Sequence, residues 1–200
     1  MNDSLDNLKK ECFDSHGVGY SKKMLHPVPV SLVVEREKYI QEYCRDKVVL
    51  SLGHTGLMAD IVDEVSAKCY AMDKLELAHP NFTWMDLDNV PNRMPGQSWG
   101  VEVVLMGEVL EHLTNPGRLL QACHTYHCPI LITVPNAFGA AGWKHMQVGV
   151  ENVNAEHVAY YSYWTLKRLV ETCGYKVDSW YWYKGKPLTA EGLVFLVSKG

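Results

Sequence analysis

Residues 174–199, GYKVDSWYWYKGKPLTAEGLVFLVSK, contain the pattern that decides the fold of this chain. Gly174 is suited to the left-handed turn that ends a helix, and two runs of apolar and aromatic residues follow it, Lys176–Tyr183 and Gly192–Lys199. The connection between the runs, residues 184–191, is too short for the crossover that parallel neighbours require. We therefore predict an antiparallel hairpin at the end of the chain.

Upstream of the hairpin, short apolar runs alternate with segments of helical periodicity. This alternation predicts β-α-β crossovers and a parallel sheet. The predicted parallel strands are Lys47–Leu52, Lys68–Met72, Phe82–Met85, Val101–Met106 and Pro129–Val134. The predicted helices are Ser31–Arg45, Leu57–Val65, a segment through Leu119 and Leu120, and Ser162–Cys173. Five parallel strands followed by a hairpin make a doubly wound α/β sheet of seven strands.

Composition indicates one globular domain over residues 1–200, with 47% hydrophobic and 21% charged residues. We expect residues 1–30 to form an N-terminal extension and residues 138–161 to form a substrate lid, because that connection is long and contains glycine. The formal net charge of −4 argues against binding to nucleic acid through bulk charge.

The sequence also excludes several classes of protein. Apolar runs fall short of the ~20 residues of a membrane span, and the first residues lack the pattern of a secretory signal. Six scattered cysteines do not form a disulfide framework and are typical of reduced thiols, which predicts a cytoplasmic protein.

Glycines and carboxylates stand at the ends of successive predicted strands. The first strand runs into Gly53-His54-Thr55-Gly56, where glycine allows a sharp turn and a close approach of ligand to backbone. Asp73 follows the second strand and suits a ribose diol, whereas Asp86 follows the third and suits an adenine amino group. Since ligands of open parallel sheets bind beyond the carboxyl ends of the strands, these residues predict a nucleoside site.

With these residues the chain, from about Val48 to its end, resembles class I S-adenosylmethionine-dependent methyltransferases. The resemblance extends to Gly107-Glu108-Val109-Leu110-Glu111-His112-Leu113 and to Thr133-Val134-Pro135-Asn136. The segment Glu156–Leu166 is similar to the subgroup that includes the ubiquinone-biosynthesis O-methyltransferases. The resemblance implies a Rossmann-like seven-stranded sheet whose final strand is antiparallel, and S-adenosyl-L-methionine as cofactor. The cofactor-binding residues it implies are Gly53, His54, Thr55, Gly56, Asp73, Lys74, Asp86, Leu87, Gly107 and Glu108.

Two features depart from the family pattern. Ser51 stands where the family usually has an acidic residue that steadies the methionine amino group, and the glycine loop is one residue shorter. A protein that binds the cofactor without catalysis is therefore one alternative.

A second constellation follows the fourth strand. Glu108, Glu111 and His112 are spaced to share one face of a helix, and His157 lies further along the chain. Carboxylates and imidazoles suit Mg²⁺ or Mn²⁺, or Zn²⁺ if His157 joins as a fourth ligand, and a similar set binds metal in small-RNA 3′-terminal 2′-O-methyltransferases. The same run also occurs in small-molecule methyltransferases without metal, where it builds the floor of the site.

We predict transfer of the sulfonium methyl group to an oxygen or nitrogen of a small-molecule acceptor. His112 is the leading candidate for the base and His157 the second, because histidine titrates near neutral pH. An RNA 2′-O-methyltransferase is the alternative activity, with nucleic acid the less favoured partner. A nicotinamide dehydrogenase is disfavoured by the terminal hairpin and by the absence of a G-x-G-x-x-G motif.

Overall fold

The computed structural model describes residues 27–151 and 154–200. Within these ranges, eight strands form one sheet with the order β1-β7-β8-β6-β5-β2-β3-β4. Their bounds are β1 Val33–Val34, β2 Val48–Leu52, β3 Lys68–Asp73, β4 Phe82–Trp84, β5 Val103–Gly107, β6 Ile130–Pro135, β7 Tyr175–Tyr183 and β8 Gly192–Lys199.

The C-terminal hairpin is confirmed. Strand β8 lies between β6 and β7 and pairs antiparallel with both, whereas the other neighbouring pairs in the sheet are parallel. The last strand of the chain is therefore inserted into the sheet, which makes the fold a Rossmann-like α/β fold of the methyltransferase type.

The sheet has one strand more than the seven predicted. Residues Val33 and Val34, expected in the first helix, pair instead with Trp182 and Tyr183 at the edge of the sheet. Both are β-branched and follow an extended stretch that contains two prolines, so the extended backbone continues until the helix begins at Arg36.

Five α-helices connect the strands in the described ranges. They are α1 Arg36–Cys44, α2 Gly56–Val65, α3 Pro116–Cys123, α4 Ala140–Met146 and α5 Tyr163–Thr172. Helix α5 starts at a capping box in which the Ser162 side chain accepts from the Thr165 backbone and the Thr165 side chain accepts from the Ser162 backbone. The residues after β5 form a short 3₁₀ turn, Leu110–His112, where a continuous helix was expected.

The sheet is covered on both faces. Buried residues of α1 and α2 pack with Val49, Val103 and Leu105 on one face. Those of α3 and α5 pack with Leu50 and Val104 on the other face. Successive residues of β2 and β5 thus point to opposite layers, as parallel strands buried on both sides require.

No helix in the part of the chain that the structure describes is long and apolar enough to cross a membrane. Most of the predicted N-terminal extension, residues 1–26, lies outside the described residues, as do residues 152 and 153 of the predicted lid. The described part of that lid contains α4 and ends near a bridge between Asn136 and Tyr161.

Candidate active site

A cavity opens at the carboxyl ends of β2, β3 and β5, where the sequence predicted a nucleoside site. It is lined by Gly53, Thr55, Asp73, Lys74, Leu75, Asp86, Leu87, Asp88, Glu108, Val109, His112, Leu113 and Glu156. Most of the predicted cofactor-binding residues are in this set. Of the remaining ones, His54, Gly56 and Gly107 do not line the cavity.

The turn after β2 depends on glycine. Gly53 has a φ of +66°, and a Cβ atom there would lie 2.6 Å from Cγ2 of Val109. The Gly53 amide donates to the Met72 carbonyl, and the Thr55 amide donates back to the Gly53 carbonyl. The backbone therefore turns sharply against Val109 and presents Thr55 to the cavity.

Asp73 ends β3 with its carboxylate in the wall of the cavity. It is largely buried, and its Oδ1 accepts from the Leu75 amide at 2.8 Å, which leaves Oδ2 for a ligand. A buried carboxylate at this position can accept further hydrogen bonds from the hydroxyl groups of a ligand.

Asp86 lies on the far side of the same cavity. Its Oδ1 accepts from the Asp88 amide at 3.1 Å, and its Oδ2 accepts from the Asn89 side chain. These hydrogen bonds, chiefly the one from Asn89, lower the pKa of Asp86, so it is ionised at neutral pH. Leu87 beside it is buried and supplies an apolar surface for a ring.

The Glu108 carboxylate is held between several side chains. Its Oε1 accepts from the Thr133 hydroxyl at 2.7 Å and from the Tyr183 hydroxyl at 2.9 Å, and an Arg36 nitrogen lies 3.5 Å from it. The backbone of Glu108 is left-handed, with φ +57°, which is rare outside glycine. Such a conformation at a strand end is typical of functional sites.

Tyr183 reaches Glu108 because its strand neighbour is glycine. Gly192 pairs with Tyr183 across the hairpin, and a Cβ atom at position 192 would lie 2.0 Å from Cζ of the tyrosine ring. Burial and the nearby Glu108 carboxylate raise the pKa of Tyr183, so its hydroxyl stays protonated and donates.

A second cavity of about 780 Å³ meets the first at Glu108. Its walls combine charged and apolar side chains from the start of α1, the end of β6 and the β7–β8 hairpin. The lining residues are Val33, Val34, Glu35, Arg36, Glu37, Lys38, Glu108, Pro135, Tyr183, Lys184 and Glu191. Neither Arg36 nor Tyr183 is predicted as a site residue from the sequence, because both come from segments distant from the motifs.

Three of the four predicted metal ligands come together beside the first cavity. One ligand atom each of Glu111, His112 and His157 lies within 4.8 Å of the others, and we name this set the Glu/His cluster. The His112 and His157 rings are 4.7 Å apart, edge to face. Glu108, the fourth, is not in this group and makes the hydrogen bonds described above.

Glu111 is buried without a partner. It is 1% exposed, and neither carboxylate oxygen has a hydrogen-bond partner among the described residues. Burial, reinforced by the Glu108 carboxylate, raises the pKa of Glu111 to about 8. Because a buried carboxylate without donors is unstable, a cation beside His112 and His157 is the partner that this geometry fits.

Backbone hydrogen bonds bring His157 to this place. The Val158 and Ala159 amides donate to the Glu111 carbonyl at 2.8 and 3.2 Å, and the Tyr161 hydroxyl donates to the Leu110 carbonyl at 3.2 Å. Burial, followed by the charge of His112, lowers the pKa of His157, so its imidazole is neutral at neutral pH.

His54 differs most from its predicted role. Its side chain is buried and turns away from the cavity, with Nε2 3.2 Å from a carboxylate oxygen of Asp63. The cofactor loop therefore offers the backbone and the Thr55 side chain to the cavity, and the imidazole lies on the other side of the loop.

Comparison with known proteins agrees with the fold described above. The family described as a methyltransferase domain matches residues 6–179. A search of curated proteins found no match. Among solved structures, the small RNA methyltransferase HEN1 is similar with a TM-score of 0.62 and 11% identity, over 88% of this chain and 27% of that protein. The chain thus spans about a quarter of the length of HEN1.

Two other solved structures are similar over nearly the whole chain. The 1,6-didemethyltoxoflavin-N1-methyltransferase of Burkholderia thailandensis has a TM-score of 0.58 and 13% identity, covering 99% of this chain and 89% of that one. Magnesium protoporphyrin IX methyltransferase from Synechocystis PCC 6803 has a TM-score of 0.55 and 11% identity, covering 98% and 100%. Both contain bound S-adenosylhomocysteine. By its family match and its fold, this chain belongs to the methyltransferase domain family and is a class I S-adenosylmethionine-dependent methyltransferase.

Proposed function

We propose that the enzyme methylates an oxygen or nitrogen of a small-molecule acceptor, and that a hydroxyl oxygen is the preferred nucleophile. The observation that carries this proposal is the Glu/His cluster, whose His112 lines the cofactor cavity. A hydroxyl must lose its proton when it is methylated, and this cluster offers the groups that remove it.

The residues of the first cavity fit S-adenosylmethionine. The Asp73 carboxylate would accept from the ribose hydroxyls, Leu87 and Asp86 would contact the adenine, and the turn at Gly53 would approach the methionine part. When bound, the cofactor supplies an electrophilic methyl group on a sulfonium sulfur. The role of the chain is then to hold the acceptor atom in line with that methyl group, at about 3–3.5 Å.

When no metal is bound, His112 or His157 would accept the proton. The lowered pKa of His157 keeps its imidazole neutral, so it has a free nitrogen lone pair at neutral pH. His112 is half-buried and directly borders the cavity. Either ring can act as a base, or both can bind a metal with Glu111.

A divalent metal fits the Glu/His cluster because it would balance the buried Glu111 carboxylate. Two imidazoles and one carboxylate suit Mn²⁺ better than Mg²⁺, which prefers oxygen ligands and retains its water. When bound there, a metal supplies Lewis acidity that lowers the pKa of an acceptor hydroxyl. We therefore propose Mn²⁺ as the assisting ion.

The second cavity is our proposed acceptor site. Its volume of about 780 Å³ is in the range of small-molecule pockets, and it meets the cofactor cavity at Glu108. Arg36 and Tyr183 hold the Glu108 carboxylate in place at this junction. The molecule to be methylated would therefore meet a fixed carboxylate, to which it can donate a hydrogen bond, near the reacting atoms.

The experiment measures cofactor binding and turnover separately. Calorimetry with S-adenosylmethionine and S-adenosylhomocysteine tests binding, and transfer of a labelled methyl group to a cell extract, split into small-molecule and RNA fractions, tests the acceptor. We expect label in the small-molecule fraction, loss of transfer with a chelator, and recovery with Mn²⁺. If a chelator leaves methyl transfer unchanged, the proposed role of Mn²⁺ is refuted. If the protein binds the cofactor but transfers label to neither fraction, the proposed enzymatic activity is refuted.

His112→Ala separates catalysis from cofactor binding. We expect turnover to fall by about 10²–10⁴-fold, the contribution of a positioned acid or base, while the Kd of S-adenosylhomocysteine changes little. The matched control is His127→Asn, because His127 is exposed and lies before β6, at the other end of that strand from the site. Equal loss of turnover and of binding in His112→Ala would indicate a structural role.

RNA is a second candidate acceptor because a ribose 2′-hydroxyl needs the same removal of a proton, and because the chain is similar in structure to HEN1. The net charge of −4 favours the small molecule. This candidate would be supported instead by label in the RNA fraction, together with binding of that RNA to the protein that weakens steeply with salt.

A further inference from the structure

A second group of metal-ligand side chains lies behind the cofactor loop, outside the cavities described above. One ligand atom from each of its four members lies within 4.8 Å of the others. We name this set the loop-anchor cluster, and its members are His54, Asp63, Cys69 and His79.

The cluster joins four separate parts of the fold. His54 comes from the cofactor loop, Asp63 from α2, Cys69 from β3 and His79 from the connection between β3 and β4. The side chains of His54 and His79 are 4% and 10% exposed, and Asp63 is 39% exposed. The cluster is therefore a mostly buried set that a small ion could reach from the side of Asp63.

The contacts within the cluster are close. Asp63 Oδ2 lies 3.2 Å from His54 Nε2, and Asp63 Oδ1 lies 3.3 Å from His79 Nε2. Cys69 Sγ lies 4.0 Å from His54 Nδ1, and the two imidazole rings are 5.0 Å apart. Ligands at about 2.0–2.3 Å from a tetrahedral zinc ion lie about 3.3–3.8 Å from one another, so the Asp63 contacts already match this spacing and the most distant ligand atoms, up to 4.8 Å apart, would have to approach by about 1 Å.

The donor set is chemically specific. One thiolate, two imidazoles and one carboxylate are the ligand types of zinc, and the two anionic groups would balance its charge. A thiolate is a poor ligand for Mg²⁺, Ca²⁺ or Mn²⁺, so the sulfur of Cys69 is what distinguishes this cluster from the Glu/His cluster.

We propose that the loop-anchor cluster is a structural Zn²⁺ site that holds the cofactor loop in its binding conformation. His54 lies between Gly53 and Thr55, which both line the cofactor cavity. Fixing the imidazole to a metal shared with α2 and β3 would fix those two neighbours. Zinc bound here would therefore strengthen cofactor binding without touching the cofactor.

A hydrogen-bonded network is the competing arrangement. Without metal, His54 Nε2 donates to Asp63 at 3.2 Å, His79 Nε2 lies 3.3 Å from the same carboxylate, and His79 Nδ1 accepts from the Asn81 amide at 3.2 Å. Zinc at His79 Nε2 would shift the ring proton to Nδ1 and break the Asn81 contact. Burial raises the pKa of Cys69 and lowers that of His54, so zinc would displace the thiol proton but meet a neutral imidazole.

Cobalt binding distinguishes the two arrangements. Co²⁺ bound to a thiolate gives a ligand-to-metal charge-transfer band in the near ultraviolet, and the Glu/His cluster contains no sulfur. We expect the band in the wild type and in His157→Ala, and its absence in Cys69→Ala. A wild type without the band, or Cys69→Ala that retains it, would overturn the proposal. Cys128→Ala is the matched control, since Cys128 is half-buried and outside the cluster.

A second set of variants keeps the test valid if Cys69→Ala does not fold. Asp63→Asn and His79→Gln alter the more accessible ligands, and we expect each to weaken zinc binding by at least about 10-fold in competition with a chromophoric chelator. Metal analysis of wild-type protein should find about one zinc per chain that His157→Ala retains. Unchanged zinc affinity in both variants would assign the cluster to the metal-free network.

The link to the cofactor has its own readout. Removal of zinc from His157→Ala, where the Glu/His cluster is already disrupted, should weaken binding of S-adenosylhomocysteine in calorimetry, and added Zn²⁺ should restore it. Zinc that binds without changing this affinity would contradict the proposed effect on the loop.

Discussion

Glu108 connects the two cavities at the scale of a single residue. Its left-handed backbone directs the carboxylate toward Thr133 and Tyr183, and the same side chain borders the cofactor and the second cavity. An ordinary extended conformation would carry on along β5 and point the carboxylate elsewhere. The hydrogen bonds that the Thr133 and Tyr183 hydroxyls donate to the charged Glu108 carboxylate thus compensate the strain in the Glu108 backbone.

Asp73 gives the first prediction at this scale. Asp73→Asn keeps the size of the side chain but loses the charge that accepts from a ribose diol. Since hydrogen bonds to charged groups contribute about 1.5–3 kcal/mol each, we expect the Kd of S-adenosylhomocysteine to rise roughly 10- to 100-fold. Calorimetry measures this, with Asp60→Asn on the exposed side of α2 as control. An unchanged Kd would show that the cofactor does not contact Asp73.

Glu111 gives a prediction about pH. The pKa of its buried carboxyl is about 8, above the ordinary 4.5, so between these values the native state binds more protons than the unfolded state. The stability of the metal-free protein should therefore fall as pH rises through this window. Glu111→Gln removes this penalty, so its advantage in thermal unfolding should grow from about pH 5 to about pH 8.

Addition of the metal is the control for the Glu111 prediction. Added Mn²⁺ should stabilise the wild type at the upper end of the window and should have a smaller effect on Glu111→Gln, which lacks the anionic ligand. Parallel unfolding curves of the two proteins across the whole range would mean that the carboxyl is not destabilising.

At the scale of elements, the 3₁₀ turn Leu110–His112 determines the shape of the Glu/His cluster. In a continuous helix Glu108, Glu111 and His112 would share one face. In the observed turn Glu111 points into the core, and the carbonyls of Leu110 and Glu111 accept from the segment that carries His157. Glu108, predicted as the fourth metal ligand, therefore does not belong to the Glu/His cluster.

Tyr161→Phe tests this connection between elements. The variant removes the hydrogen bond to the Leu110 carbonyl and leaves that buried acceptor unpaired, so we expect a loss of about 1 kcal/mol in the free energy of unfolding. Mn²⁺ affinity should also fall because His157 is less firmly held. Urea unfolding and metal titration measure the two effects, and Tyr160→Phe, at an exposed position, is the control. If the free energy of unfolding falls but the Mn²⁺ affinity does not, the segment that carries His157 does not position the metal site through this hydrogen bond.

At the scale of the whole molecule, β8 ties the two halves of the sheet together. It pairs with β6 on one side and β7 on the other, and its inward residues enter both hydrophobic layers. Phe195 is fully buried, with the Tyr163 and Trp180 rings at 5.7 and 6.2 Å. The last strand is thus part of the core that supports the site.

Phe195→Ala measures how much this insertion stabilises the fold. Loss of a fully buried aromatic side chain and the cavity left behind should reduce the free energy of unfolding by about 3–5 kcal/mol. Urea unfolding gives the value, and Leu188→Ala in the exposed β7–β8 loop is the control, with an expected change below about 0.5 kcal/mol. Similar changes in the two variants would mean that the strand contributes little beyond its hydrogen bonds.

The sequence by itself determined the order of strands and helices, the terminal hairpin, and the positions of Gly53, Asp73 and Asp86 at strand ends. These features are local, because they depend on runs of apolar residues, on turn residues and on the lengths of connections. The edge strand β1 was missed, since its two residues become a strand only through pairing with Trp182 and Tyr183.

Only the tertiary structure decided which side chains meet. The contacts of Arg36 and Tyr183 with Glu108 join segments far apart in the chain. The left-handed backbone of Glu108 and the orientation of His54 toward Asp63 also follow from no sequence pattern. Spacing along a sequence predicts neighbours within one helix or strand, but it carries no information on packing between elements. That packing placed three predicted metal ligands together, separated the fourth, and assembled the loop-anchor cluster from residues that no local pattern connects.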